Sequence, residues 1–373
     1  MLKNVFAVLS ALIIFNSCKK DNDQGAPPPP VQPFDVITTA SIFNPSTGNY
    51  EAVYWLNEKR NALESGGVDQ AFAYGIEKQG SDIYIAGSFA NTKGSDDRLK
   101  PCYWKNGKKI DLTDGVDIQA RSSASDLKWF NNALYISGET DLDPMLWKIK
   151  NGMLESITRF GVAGNILAVR KAGNMQLYGG KLYIGGSQKK NVNGNIVYTI
   201  GYWVVDENDQ PSFTVLHDNL PYALGFSMSV SDKGVFIMGE GGTAQHPVPT
   251  IWTKTGQHPV NQSFEANYHR LHTGVPDSKG NLLLNVLDIR LYQPVIWKVS
   301  ATGTHQLIKP AVPAGAQGFC ESLDVKDDKL AYVYSYDKDQ KSYAAYVFNG
   351  KTVELDIYKT RLSNINSIKL VSR

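Results

Sequence analysis

The chain has 373 residues, with 38 Lys and Arg against 36 Asp and Glu, a formal charge of +2, and 42% hydrophobic residues. Balanced charge with no basic stretch beyond a lysine pair argues against nucleic acid as a partner, and the apolar content excludes global disorder. The 33 Gly, 19 Tyr, 14 Phe and 7 Trp favour strands and tight turns over long helices, and three cysteines are too few for a disulfide scaffold.

Residues 1–17 predict a signal peptide. Lys3 supplies its positive charge, and residues 5–15 form an apolar run. At about 1.5 Å per residue, that run is too short to cross a hydrocarbon core of ~30 Å. Ser17-Cys18, a small residue directly before a cysteine, resembles the lipobox of bacterial lipoproteins, with Phe15 and Asn16 departing from its strictest form. The resemblance implies that Cys18 is diacylated and becomes the mature N-terminus, so that the first partner is a membrane. Lys19-Lys20-Asp21-Asn22-Asp23 is similar to the surface-export signals of Bacteroidota lipoproteins. It implies a lipid-anchored protein of the outer membrane, at the cell surface or on the periplasmic face. The prolines at 27–30 and at 33 make residues 18–33 a stiff polyproline II tether that cannot join a sheet.

Residues 34–373 repeat. Trp55, Trp104, Trp147, Trp203, Trp252 and Trp297, with Tyr346 in the last copy, recur at intervals of 43 to 56 residues. Asn106-Gly107, Asn151-Gly152 and Asn349-Gly350 follow this slot and suit two-residue hairpins, in which both central positions need positive φ. Other copies have longer polar turns, such as 206–210.

Between the Trp strands lie runs such as Asp82-Ile83-Tyr84-Ile85-Ala86-Gly87 and Ala133-Leu134-Tyr135-Ile136-Ser137-Gly138. They are apolar on both faces, as strands sandwiched between neighbouring sheets must be. A strand of smaller residues precedes each, at 71–77, 122–129, 166–175, 226–231, 269–275 and 319–325, suited to crowding around a common axis. With a short outer strand such as 108–112, each repeat predicts a four-stranded antiparallel β-propeller blade. Residues 364–371 read as an inner strand with nothing after it, and 35–41 as a second strand with nothing before it. Together they complete a shared blade, so the expected fold is all-β: a seven-bladed ring closed by the N-terminal strands plus the C-terminal inner strand.

Tyr103-Trp104-Lys105-Asn106-Gly107 resembles a bacterial family of propeller repeats built on Tyr-Trp-Lys-Asn-Gly, and Gly185-Gly186 is similar to the strand ending of kelch repeats. The resemblance implies a fold more than a function, since propellers host many chemistries.

No catalytic set, metal site or cofactor is expected. Among the six histidines only His269 and His272 are close, and three residues apart on a regular strand they face opposite ways. Cys102 and Cys320 read as buried thiols, and the slot tryptophans as packing between blades. Arg121, Tyr222, His269, Arg270 and Glu321 fall near inner-strand starts and are the candidate ligand-binding residues at the channel mouth. Asp96, Asp97, Asp141, Asp143 and Asp288 are placed in outer loops of the same face. The leading expectation is a monomeric domain presenting a binding face to a glycan, peptide or envelope protein. The alternatives are a glycosidase or lyase using carboxylates at the channel mouth, with Glu321 paired to Asp117 or Asp126, and a structural docking module.

Overall fold

The computed structural model describes residues 34–373 except 91–97, 115–121, 141–142, 161–165, 170–174, 207, 209–210, 260–268, 289–292, 300–304, 311, 314–315 and 359–362. The described chain opens with β1 (Phe34–Asn44), β2 (Asn49–Leu56) and β3 (Lys59–Ala62). Blade 1 is β4 (Gln70–Gln79), β5 (Asp82–Ala90), β6 (Lys100–Lys105) and β7 (Lys108–Asp111). Blade 2 is β8 (Ser123–Phe130), β9 (Ala133–Thr140), β10 (Asp143–Lys150) and β11 (Met153–Arg159). In blade 3, β12 (Ile166–Val169) and β13 (Met175–Tyr178) both pair with β14 (Lys181–Val192), followed by β15 (Asn195–Val205) and β16 (Pro211–Leu220). The inner strand expected at 166–175 is therefore two short strands on one neighbour. Blade 4 is β17 (Leu224–Ser231), β18 (Gly234–Gly242), β19 (Pro247–Thr253) and β20 (Gly256–Pro259). Blade 5 is β21 (His269–Pro276), β22 (Leu282–Asp288), β23 (Gln293–Val299) and β24 (His305–Ile308). Blade 6 is β25 (Gln317–Lys326), β26 (Lys329–Lys338), β27 (Lys341–Phe348) and β28 (Lys351–Leu355).

The last strand, β29 (Asn364–Ser372), pairs antiparallel with β1, Val36 opposite Leu370, in the sheet order β29-β1-β2-β3. Inner strands touch their neighbours from β4 to β8 and onward through β21, β25 and β29 back to β4. This is a seven-bladed β-propeller closed by its own C-terminus.

A repeated polar clamp marks β1 as the second strand of its blade. In blade 1, Asn106 accepts from the Ile83 N–H at 2.8 Å and donates to Asp82 at 2.7 Å. In the closing blade, Asn57 accepts from Val36 N–H at 2.9 Å and donates to Asp35 at 3.1 Å. Both asparagines have positive φ, 51° and 56°, which Asn tolerates better than most residues, so the turn residue also fastens the adjacent strand.

The glycine of the Ile-Tyr-Ile-Ala-Gly strand has a steric origin. A Cβ at Gly87 would lie 2.0 Å from the Phe72 carbonyl oxygen and 2.5 Å from the Trp104 ring. The inner strand β4 carries a register shift between Ala73 and Ile76, opposite that glycine. Gly138 and Gly239 meet inner-strand carbonyls in the same way, at 2.1 and 1.8 Å. The glycine therefore admits the inner strand at Gly87, Gly138 and Gly239, and the indole of the third strand at Gly87 and Gly186. Trp55, Trp104, Trp147, Trp203, Trp252 and Trp297 are at most 3% exposed, and Trp55 and Trp104 sit in clusters that join adjacent blades.

Candidate functional site

The inner strands converge on a cavity of about 270 Å³, lined by residues of blades 1, 2, 3, 5 and 6 and of the closing blade. Its lining includes Tyr74, Ser125, Asp126, Gln176, Asp324 and Lys369. β-Bulges in the inner strands shift the alternation of side chains, so simple period-two counting does not select these residues.

Two lysines of the lining, Lys128 and Lys369, share a carboxylate that lies behind it. Glu77 accepts hydrogen bonds from Lys128 at 3.2 Å and Lys369 at 2.5 Å, and the three side chains are only 14 to 22% exposed. Burial pushes the Glu77 carboxyl up, but the two ammonium groups outweigh it and hold the group below its ordinary value. Burial pushes Lys128 down, yet Asp126 and Glu77 outweigh this and raise it. Lys369 is lowered, by burial and by repulsion from Lys128. It also donates to the Ile76 carbonyl at 3.2 Å.

The two aspartates of the cavity act on the backbone. Asp126 accepts from Leu127 N–H at 2.8 Å with one oxygen and from Met175 N–H of blade 3 at 2.7 Å with the other. Asp324 repeats this between blade 6 and the closing blade, accepting from Val325 N–H at 3.0 Å and Leu370 N–H at 2.7 Å. Neutral groups join other boundaries: Thr39 donates to the Tyr74 carbonyl at 2.7 Å, and Asn285 to the Cys320 carbonyl at 2.5 Å.

Of the residues nominated from the sequence, Asp126 lines this cavity, and Tyr222 and Glu321 are not among its lining residues. Arg121, Asp96, Asp97, Asp117 and Asp141 lie outside the described residues, as do the lipid-attachment residue Cys18 and the stretches 1–17 and 18–33. His269 and Arg270 are the first two residues of β21. The backbone register of β21 against β22 shifts between Leu271 and Thr273. Tyr222 precedes β17 and meets Tyr198 of blade 3 edge-on, ring centroids 5.5 Å apart. Asp143 and Asp288 are strand residues, at the start of β10 and the end of β22, rather than loop residues.

Glu321 is an unpaired bulge residue, because the register runs from Cys320 opposite Tyr334 to Ser322 opposite Val333. Its carboxylate accepts from Ser335 at 3.0 Å, and it is absent from the described cavity lining. Burial pushes it above the ordinary carboxylate range, opposed by the Ser335 hydrogen bond. Cys102 and Cys320 are buried free thiols, both raised by burial. Among the described residues, no group of three or more His, Cys, Asp or Glu is placed to hold a metal ion.

Sequence reasoning missed Glu77, Lys128 and Lys369. The available signal was a charged residue late in each of three small-residue strands, where a purely apolar axis would have needed none.

No family model and no curated protein matches the chain. Among solved structures, it is similar to puromycin hydrolase at 10% identity and a TM-score of 0.51, over 76% of this chain and 46% of that one. It is also similar to a prolyl endopeptidase, at 10% identity and a TM-score of 0.49, over 89% and 50%. A third is the Pyrococcus horikoshii acylaminoacyl peptidase, at 11% and 0.44, over 78% and 46%. The puromycin hydrolase likeness shows the fold alone. The chain spans about half the length of these proteins.

Proposed function

We propose that the chain is a cell-envelope lipoprotein, anchored through Cys18 and carried on the 18–33 tether, whose propeller binds its partner without transforming it. The observation that carries the binding reading is the engagement of the channel carboxylates. Glu77 is held by two lysines, and Asp126 and Asp324 each use both oxygens on backbone N–H groups. A general acid or base must be free to exchange a proton with a substrate, and breaking any of these pairs leaves buried polar groups unpaired. The pair Glu321 and Asp126 is further weakened as a catalytic set, because Glu321 is absent from the described lining and Asp126 bridges blades.

The anchor reading rests on residues 1–23 alone: a short apolar run, a small residue before Cys18 and the charged tract after it. Two acyl chains, at ~0.8 kcal/mol per buried CH₂, suffice for stable attachment where one is marginal.

Both parts are testable in one preparation. Expressed in a bacterium of the Bacteroidota, the chain should incorporate labelled palmitate and fractionate with the outer membrane, and Cys18→Ser should do neither. Incubated with envelope polysaccharides and peptides, it should retain a ligand and release no cleavage product. Turnover of any polymer contradicts the binding reading, and an unlabelled, soluble wild-type chain contradicts the anchor.

A further inference from the structure

We infer that the central cavity is a site for a neutral, polyhydroxylated ligand of about one sugar unit, an inference that rests on the binding reading above. The charged groups argue for neutrality. Lys128 and Lys369 are matched by the carboxylates of Glu77, Asp126 and Asp324, so the charge around the cavity is nearly balanced and strongly favours neither an anion nor a cation.

The uncommitted groups are of another kind. Ser125, Gln176 and Ser367 line the cavity, from blades 2 and 3 and the closing blade, and their side chains make no hydrogen bond among the described residues. Two hydroxyls and an amide offer both donors and acceptors, the mixture that sugar hydroxyls need. Tyr74 is the one aromatic among the described lining residues. Its hydroxyl lies 3.4 Å from the Ser88 hydroxyl, and a ring at the wall suits the apolar face of a sugar. A volume of about 270 Å³ is close to the lower end of ligand pockets, ~300–1,000 Å³, which limits the occupant to one small unit or the end of a chain.

The test is ligand-observed NMR and calorimetry on the full chain in detergent, using glucose, galactose, mannose and N-acetylglucosamine, with glucuronate, lysine and a short neutral peptide as contrasting arms. At least one neutral sugar should bind saturably. Its affinity should fall at least tenfold in Gln176→Leu and in Ser367→Leu, and hold in Tyr358→Ala, an exposed position after the outer strand of blade 6 that is not among the lining residues. A thermal melt checks that each variant folds. Gln176→Glu, which keeps the shape and adds charge, gives a second reading and should weaken binding as well. The inference is overturned if no neutral sugar binds, if all three cavity variants bind as the parent does, or if glucuronate or lysine binds better. Retention of the peptide without any sugar overturns it and leaves the binding reading standing. Cleavage of the peptide, or of a polysaccharide carried through the same assay, overturns the binding reading itself.

Discussion

Asp324 on the inner strand of blade 6 accepts a hydrogen bond from the backbone N–H of Leu370 on the inner strand of the closing blade, at 2.7 Å. Leu370 in turn pairs with Val36, so one carboxylate links the sixth blade to the strand that joins the two ends of the propeller. Asp126 does the same between blades 2 and 3, accepting from the Met175 N–H at 2.7 Å. Asp324→Ala should therefore cost about 1–3 kcal/mol, because it leaves the Leu370 and Val325 N–H groups without their acceptor. Urea unfolding of the variant checks this; an unchanged midpoint contradicts it.

Gly87→Ala tests the steric account of the repeat. Its methyl group would overlap the Phe72 carbonyl and the Trp104 ring, both backed by well-packed neighbours. A loss above about 2 kcal/mol is expected, at or beyond the upper part of the overpacking range. Gly152→Ala, where no atom lies within 4 Å and only φ of +77° opposes the substitution, should cost about 1 kcal/mol. Equal losses in the two variants contradict the account.

Trp104→Ala should lose ~3–5 kcal/mol. The side chain is fully buried in a cluster that includes Ile37 of the closing blade, and its indole N–H donates to the Glu64 carbonyl at 2.8 Å. Thermal melts of parent and variant measure it.

Acid sensitivity has two contributions of opposite sign. Glu77 is lowered in the folded protein, so its stabilisation is present above the ordinary carboxyl value of 4.5 and is lost as pH falls through the folded value. Glu321 is raised, so its contribution is present below 4.5 and is lost as pH rises through its folded value. Glu77→Gln should flatten the loss of stability on the acid side of 4.5 while leaving two lysines facing each other at neutral pH. Glu321→Gln should remove the loss above 4.5. Stability measured from pH 3 to 7 separates the two, and parallel profiles for parent and both variants contradict the assignment.

The architecture was legible because its signals are local and repeated. The Trp slot, the Asn-Gly turns and the strand ending in Gly87, Gly138, Gly186 or Gly239 each report a blade without reference to any other. Ring closure was legible from complementary ends, an inner strand at 364–371 and a second strand at 35–41. Of the cavity only Asp126 was legible. Glu77 meets Lys128 51 residues away and Lys369 292 residues away, and no short-range pattern encodes such pairs. The bulges matter equally. One at the inner strand of blade 6 takes Glu321 out of the regular pairing, so a position near the strand start did not translate into a place in the cavity lining.

Removing residues 364–373 tests the closed ring most directly. The truncation deletes β29, and with it the partners of β1 and the Lys369 hydrogen bond to Glu77. Calorimetry of the full chain should give a cooperative transition that the truncated chain loses or shows at a much lower temperature. A truncated chain that melts cooperatively at the parent temperature would contradict closure by the C-terminal strand.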